Sequence, residues 1–523
     1  MQGREFNTEK YLFIAIMVVA AMLRVYEINQ PFIDAVSWRQ TDTATIADNF
    51  YHGNWNIFYP EISWNGPEHN YVGYEFQTIT YVSALLYRIF GHHDWIGRSV
   101  AIIFGLWGTF AFYQLVRRVW GAKHAIVSAA VLAILPGQIY VDRSFLPDPV
   151  MLSLVITSVW MLVAYLQTGS LRYLLLASLA GMFGFLTKIS GFIVAVPMLY
   201  VILSILKQKQ KLYSKQLLLI IIAGIIILIP VISYYMWAIH ISQTLPPYYI
   251  AAGEYWVWKY GLNHFLEQNY FLRQLYSQLN WFWTKPIIAL VIAGLFFMLP
   301  WFRNNAKYSQ LSKGTRRIAP WIFHWWIFAF IVYYLVAAQG LVKNPTNLNI
   351  VNPAAAALTA SALITIASFA QRFIRLRISS ALVAIMLLII AGYEYTILRS
   401  AWFQPWAINN YRLGLALRKI SQPNDLVVTG TGGDTVALYY SQRRGWVFPP
   451  VYAWVTFYAM DDYEAIQLLE ELSAKGADWF GILNEQRDQL LKDKPKLIEY
   501  LESKFERSYE STGFAIYNIT SKK

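Results

Sequence analysis

Runs of roughly 20 apolar residues, each long enough for the ~30 Å hydrocarbon core of a bilayer, recur about eleven times along the 523 residues of this chain. They fall near 11–29, 97–116, 124–141, 149–168, 172–187, 189–206, 217–238, 286–302, 319–340, 353–370 and 378–398. Backbone polar groups in lipid must be satisfied within the segment, so such runs fold as helices. The fold class expected is a polytopic α-helical membrane protein with about 11 or more transmembrane helices. Only 14% of the residues are charged, where a soluble domain carries about 25%. The net charge of +13 is not gathered on a basic face. Its Lys and Arg sit in short clusters between apolar runs, as topology signals do, so no nucleic-acid partner is expected. The absence of Cys excludes a disulfide framework and a thiolate metal site. The first run is long enough to span and lacks a small-residue cleavage pattern, so no cleavable signal is expected.

The short basic connections read "RRVWGAK", "KQKQKLYSK", "RNNAKYSQLSKGTRR" and "QRFIRLR". With simply alternating spans all four fall on one side, which the positive-inside rule makes cytoplasmic. The N-terminus is then cytoplasmic. The connections 30–96 and 239–285 and everything after 398 lie outside. The organisation expected is a transmembrane catalytic domain over 1–398, whose first outside loop 30–96 carries interfacial helices, and a small C-terminal α/β extracytoplasmic domain over 399–523. In that tail "NDLVVTG", "GWVFPP" and "ADWFGIL" read as strands, and "DDYEAIQLLEELSAKG" as an amphipathic helix ending at Gly. "TGTGGD" reads as a strand-to-helix turn, since no GK[ST] follows it. No Walker motif occurs anywhere, so no nucleotide is expected.

Polar groups gather on the outer side. Asp34 leaves the first run there, in "FIDAVSWRQTDTATIADNF". Parity puts Arg143 and Asp148 of "YVDRSFLPDPV", Lys188 of "LTKISGF" and the segment "GLVKNPTNLNIVNP" on the same side. Short intervening loops keep these groups at membrane depth, where they can converge on one cavity. An ionisable residue at a span end is often just an interfacial anchor, and that reading stands beside the functional one for Arg143 and Lys188. "SWRQ" reads as a capping box with Ser37 at N-cap and Gln40 at N3, which leaves Asp34 without a capping duty. Arg39 and Asp42 lie one turn apart and are placed to pair. "YVGYEFQTITYVSALLYRIFG" reads as a second outside helix, with Glu75 at its polar start and Arg98 at the mouth of the next span. His92 and His93 are adjacent rather than on one helical face, and no HExxH spacing exists, so no His-based metal centre is expected.

An Asp just after the first span, a long outside loop with interfacial helices, and "RSFLPDP" before the fourth span together resemble the GT-C glycosyltransferases. The likeness narrows to the protein-mannosyltransferase-like, polyprenyl-phosphate-sugar-dependent branch, which includes bacterial lipid A aminoarabinose transferases. It is most specific over residues 32–190, in "WRQTDTATIADNF", "YEFQTITYVSALLYRIFG" and "GRSVAIIFG". The resemblance implies a single sugar on a polyprenyl phosphate as donor and an inverting transfer outside the cytoplasm of a bacterial inner membrane. It implies that Asp34 is the catalytic carboxylate and that Asp148 matches the acidic residue before the fourth span. Arg143, Lys188 and Arg98 would then hold the donor phosphate, and Arg39, Asp42 and Glu75 would contact substrate. Two departures stand out. Eukaryotic members carry adjacent acidic residues in the first loop, where here Ala35 follows Asp34; and "NLNIVNP" replaces a His- and Tyr-rich segment of many bacterial relatives.

Such a donor brings its own leaving group. What the protein must supply is a carboxylate to take the acceptor proton, cations for the departing phosphate, and a groove open to lipid. Asp34 and Asp148 are also a candidate pair for a hard divalent cation such as Mg²⁺ or Mn²⁺. The acceptor stays open among envelope glycan, lipid and protein hydroxyls. Three rivals remain. A lipid-linked sugar flippase would place polar groups at the bilayer midplane, with interrupted spans in corresponding positions; no such pair is evident in the sequence. A polyprenyl-pyrophosphate-dependent polymerase or ligase would need more basic residues outside. A catalytically dead relative would act as a binding subunit.

Overall fold

The apolar runs fold as helices wherever the computed structural model describes them, which is over residues 2–209, 214–250, 270–297, 319–374, 379–453 and 456–522. Among these residues five helices are long and apolar enough to cross a membrane: Asp94–Trp120, Asp148–Thr168, Lys215–Thr244, Pro345–Gln371 and Ser380–Trp402. The runs at 172–187, 189–206 and 319–340 form the shorter apolar helices Leu171–Thr187, Ile189–Ile205 and Ile322–Val336. The first run forms helix Gln2–Val25. The basic connection 303–317 lies outside the described residues, as do 298–302, 251–269 and parts of 207–215 and 371–377.

The run 124–141 is interrupted, which corrects its reading as one span, and a second break lies just before the run that begins at 286. Ala122–Ile134 and Pro136–Arg143 meet at 68°. Proline has no N–H to continue the ladder, and the residue before it is pushed out of the helical region. Leu135 is accordingly extended, and Pro136 opens the next helix. Phe271–Phe282 and Thr284–Phe297 meet at 105°. There a π-turn over Gln278–Phe282 is followed by Thr284 at φ 65, a left-handed backbone that a β-branched residue rarely adopts.

The contacts divide the chain into two compact units: Met1–Ile28, Arg98–Met236 and Ala252–Trp402 in the first, and Asn29–Gly97, Trp237–Ala251 and Phe403–Lys523 in the second. The first outside loop thus folds with the tail. Its helix Ser37–His52 and the strands β1 (Glu61–Ile62), β2 (Asn65–Gly66) and β3 (Asn70–Tyr71) belong to the second unit. The tail adds β4 (Leu426–Gly430), β5 (Gly445–Val447), β6 (Ala477–Leu483), β7 (Phe505–Glu510) and β8 (Phe514–Lys522). One sheet runs β2-β5-β4-β6-β8-β7, in which β4 is parallel to both β5 and β6. The three strands read from the tail sequence are all present. So is helix Asp462–Ala474, with a capping box between Asp461 and Glu464 and Gly476 at φ 94 just beyond its end. The loop and tail share one apolar core, in which Ile46, Phe50, Ile62 and Trp64 lie with Leu413, Leu417, Val427 and Ile516. That shared core is why the loop does not fold apart from the tail.

Candidate active site

In the first unit, helix Leu171–Thr187 ends where Lys188 turns extended, and helix Asp148–Thr168 begins at its own Asp. The two end residues meet. Lys188 Nζ donates to both carboxylate oxygens of Asp148, at 2.9 and 2.8 Å, with Asp148 buried. An acidic group in a first helical turn is favoured by the helix dipole, and here it also holds an ammonium in place. An ammonium has three donors, so the pair leaves capacity for one further anionic oxygen.

Arg143 and Arg98 are both fully buried and converge on a different target. Arg143 Nη2 donates to the Glu27 carbonyl at 2.9 Å, and Arg98 Nη1 reaches the carbonyls of Glu27 and Ile28 at 3.5 and 3.4 Å. Glu27 has φ 53, a backbone that costs a non-glycine residue about 1–2 kcal/mol. Two guanidinium groups thus hold the strained turn that follows the first helix.

In the second unit Asp34 is buried, and its Oδ1 accepts a hydrogen bond from Gln40 Nε2 at 2.6 Å. This arrangement corrects the capping-box reading. Ser37 is the first helical residue rather than the cap, and Val36 occupies the N-cap position at φ 57 with no side-chain cap. Gln40 therefore lies a turn inside the helix, where its amide fixes the carboxylate instead of a backbone N–H.

Arg39, Asp42 and Glu75 come together in the same unit, with Arg39 bound to Asp42 at 2.9 Å and to Glu75 at 2.8 Å. The guanidinium also lies 4.6 Å from the centre of the Tyr74 ring, and the Trp64 indole donates to the second Asp42 oxygen at 2.8 Å. Burial works against the Arg39 charge, but Glu75, then Tyr74 and Asp42, outweigh it and hold the group above its ordinary value. Burial, reinforced by Asp42, likewise raises the Tyr74 phenol well above its usual range. The expected Arg39–Asp42 pair is thus one edge of a larger clamp between the loop helix and the segment leading into Thr78–Phe90.

Sequence reasoning missed a buried polar chain in the first unit. Arg24 pairs with Asp142 at 2.7 Å, Gln138 donates to Asp142 at 2.7 Å, and Asn352 donates to Gln138 at 2.9 Å. Trp283 then donates to Asn352 at 2.8 Å, and the next residue, Thr284, donates to the buried Glu394. The signal was available: Arg24 and Glu394 are ionisable residues inside apolar runs and Asp142 follows directly on one, which is uncommon and marks interior-facing positions.

Residues 78–237 match the family described as dolichyl-phosphate-mannose-protein mannosyltransferase. The crystal structure of ArnT from Cupriavidus metallidurans bound to undecaprenyl phosphate aligns over 97% of both chains, with a TM-score of 0.61 at 13% identity. Its apo state gives 0.62 at 11% identity. The chain has the same fold as ArnT. The archaeal oligosaccharyltransferase AglB from Archaeoglobus fulgidus, in complex with an inhibitory peptide and a dolichol-phosphate, shares it. The alignment covers 97% of this chain and 74% of AglB, with a TM-score of 0.58 at 13% identity. No curated protein sequence matches significantly.

On this fold the eight sequence candidates fall into four local groups: Asp148 with Lys188, Arg143 with Arg98, Arg39 with Asp42 and Glu75, and Asp34 with Gln40. Among the described residues no group of three or more His, Asp or Glu side chains is placed to hold a metal ion. Both Asp148 oxygens already accept from Lys188. Among the described residues these donor sets do not build a metal site.

Proposed function

We propose that this chain is an integral-membrane glycosyltransferase that moves a single sugar from a polyprenyl-phosphate donor to an acceptor hydroxyl, with inversion. The observation that carries the reading is the shared GT-C fold, over 97% of both chains, with an ArnT structure bound to undecaprenyl phosphate. The residues supply matching chemistry. Asp34, oriented by Gln40, is the base that takes the acceptor proton as its oxygen attacks the anomeric carbon. Lys188, held by Asp148, donates to the phosphate as the glycosidic bond breaks and negative charge grows there. The buried guanidinium groups of Arg143 and Arg98 add to the positive field that favours an anion. One base in a single displacement inverts the anomeric centre, by the logic of inverting glycosidases. The basic connections support an N-terminus in the cytoplasm and transfer on the outer face of a bacterial inner membrane.

The deciding experiment uses the purified protein in vesicles with a lipid extract of its own host as donor source, and reads polyprenyl phosphate released by mass spectrometry. Asp34→Asn is expected to lower the plateau rate by roughly 10²–10⁴-fold. A variant that turns over at the wild-type rate removes Asp34 from this role. The second reading, a lipid-linked sugar transporter, draws on the two broken helices at 68° and 105°. It requires that the lipid-linked sugar cross the vesicle intact, with no polyprenyl phosphate released.

A further inference from the structure

Asp34 lies in the short connection that enters helix Ser37–His52, where the Ile33 N–H donates to the Pro31 carbonyl at 2.7 Å and the Arg39 N–H to the Val36 carbonyl at 3.2 Å. Its N-cap residue Val36 is left-handed and contributes no side-chain cap. Further bonds come from the tail of the same unit. The Tyr440 hydroxyl accepts from the Phe32 N–H at 2.7 Å, and the Ala407 N–H donates to the Ile33 carbonyl at 2.9 Å. On the other side of Asp34, the Ser37 hydroxyl donates to Asp434 Oδ2 at 3.2 Å. The Thr435 hydroxyl bonds the Trp38 carbonyl at 3.0 Å and lies 2.9 Å from the Thr41 hydroxyl.

These tail groups are themselves fixed. Tyr440 donates its proton to Asp94 at 2.6 Å, which turns an oxygen lone pair towards Phe32. Asp434 Oδ1 accepts from the Val436 N–H at 2.8 Å. Asp434 thus meets the first turn of helix Ser37–His52 through the Ser37 hydroxyl, while its other oxygen is fixed by the backbone of its own segment. The chain is therefore gripped two residues before Asp34, one residue before it and three residues after it.

We infer that the tail segment 407–440 is the scaffold that positions Asp34 for proton transfer, with Tyr440 and Asp434 as positioning residues. The inference rests on Asp34 being the base. Burial raises the Asp434 carboxyl above its ordinary value, against the donors Val436, Ser37 and Asn410, in keeping with a group held in the interior rather than in solvent.

The test compares plateau rate and half-saturating lipid extract in the vesicle assay for Tyr440→Phe, Asp434→Ala, Asp434→Asn, Asp461→Ala and Asp34→Asn, all in the full chain. Misplacing a catalytic group by about 1 Å costs on the order of 10²-fold. Tyr440→Phe and Asp434→Ala are therefore expected to lower the plateau rate by roughly 10–100-fold, with half-saturation unchanged. Asp434→Asn keeps an oxygen acceptor and is expected to recover most of that rate. Asp461→Ala removes the capping box of helix Asp462–Ala474; it lowers the melting temperature and leaves the plateau rate as it was. If Asp34→Asn is inactive while Tyr440→Phe and Asp434→Ala run at the wild-type plateau, the positioning role is overturned and the base survives. If Asp461→Ala slows turnover as much as Tyr440→Phe, the tail acts through stability alone and the inference also fails. A fully active Asp34→Asn removes the base itself.

Discussion

Arg24 and Asp142 form an ion pair at 2.7 Å in which neither side chain is exposed to more than 1%. Arg24 also donates to the carbonyls of Ala20 and Ala133, at 3.1 and 3.2 Å, so the pair ties the first helix to the bent one. The fit leaves no slack: a Cβ on Gly105 would lie 2.4 Å from the Asp142 carboxyl carbon. Breaking a buried pair strands the remaining charge, at a cost of about 3–5 kcal/mol. Asp142→Ala is therefore expected to lower the unfolding midpoint in detergent strongly. Replacing both partners by apolar residues, Arg24→Met with Asp142→Leu, should recover most of the loss. An unchanged midpoint for Asp142→Ala would show that water or lipid headgroups solvate Arg24.

Lys188 differs from Arg143 and Arg98 in what holds it. The two guanidinium groups bond backbone carbonyls, whereas the ammonium bonds a single carboxylate at the junction of two helices. Hydrogen bonds to charged groups contribute about 1.5–3 kcal/mol. Lys188→Ala should thus weaken binding of undecaprenyl phosphate by roughly 10–150-fold, read by native mass spectrometry or by displacement of a labelled lipid. At saturating donor its rate should still fall short of the wild-type value, because the charge that Lys188 meets grows as the glycosidic bond breaks. Undiminished lipid affinity would assign Lys188 to fixing Asp148 alone.

Much of this was legible in the sequence, because hydropathy is read run by run. The apolar runs, the three tail strands and the capped helix Asp462–Ala474 all follow from local pattern. The break at Leu135 is encoded by Pro136, but the unbroken hydropathy of the run masks it. The partners were not legible. Gln40 reads as a capping residue, and only the left-handed backbone of Val36 turns it towards Asp34. The hold of Tyr440 on Phe32 joins residues 408 positions apart, a pairing that no periodicity encodes. Likewise β2 is two residues long and exists because β5 pairs with it.

The Gln40–Asp34 contact makes a separable prediction. Gln40→Leu keeps the bulk of the side chain and removes the N–H donor that orients the carboxylate. The plateau rate should fall by roughly 10–100-fold, while the affinity for undecaprenyl phosphate, a property assigned to Lys188, stays at the wild-type value. Gln40→Asn, too short by one methylene to reach as far, should not rescue the rate. A Gln40→Leu protein as fast as wild type would mean that the 2.6 Å bond organises the resting loop and not the reacting carboxylate.

Asp434 gives a prediction with a definite sign. Burial raises its carboxyl above the ordinary value of 3.8 in the folded protein. Between the ordinary and the raised value the folded state therefore binds more protons than the unfolded one, and stability falls as pH rises through that window. Below the ordinary value both states are protonated and the penalty is absent; above the raised value it is fully present. Asp434→Asn has no proton to lose and lacks this slope. The difference in unfolding midpoint between the two proteins should thus move in favour of Asp434→Asn as pH is raised from about 4 towards neutrality, whatever its value at the acid end. A difference that stays constant across that range would mean that the donors from Val436, Ser37 and Asn410 balance the cost of burial.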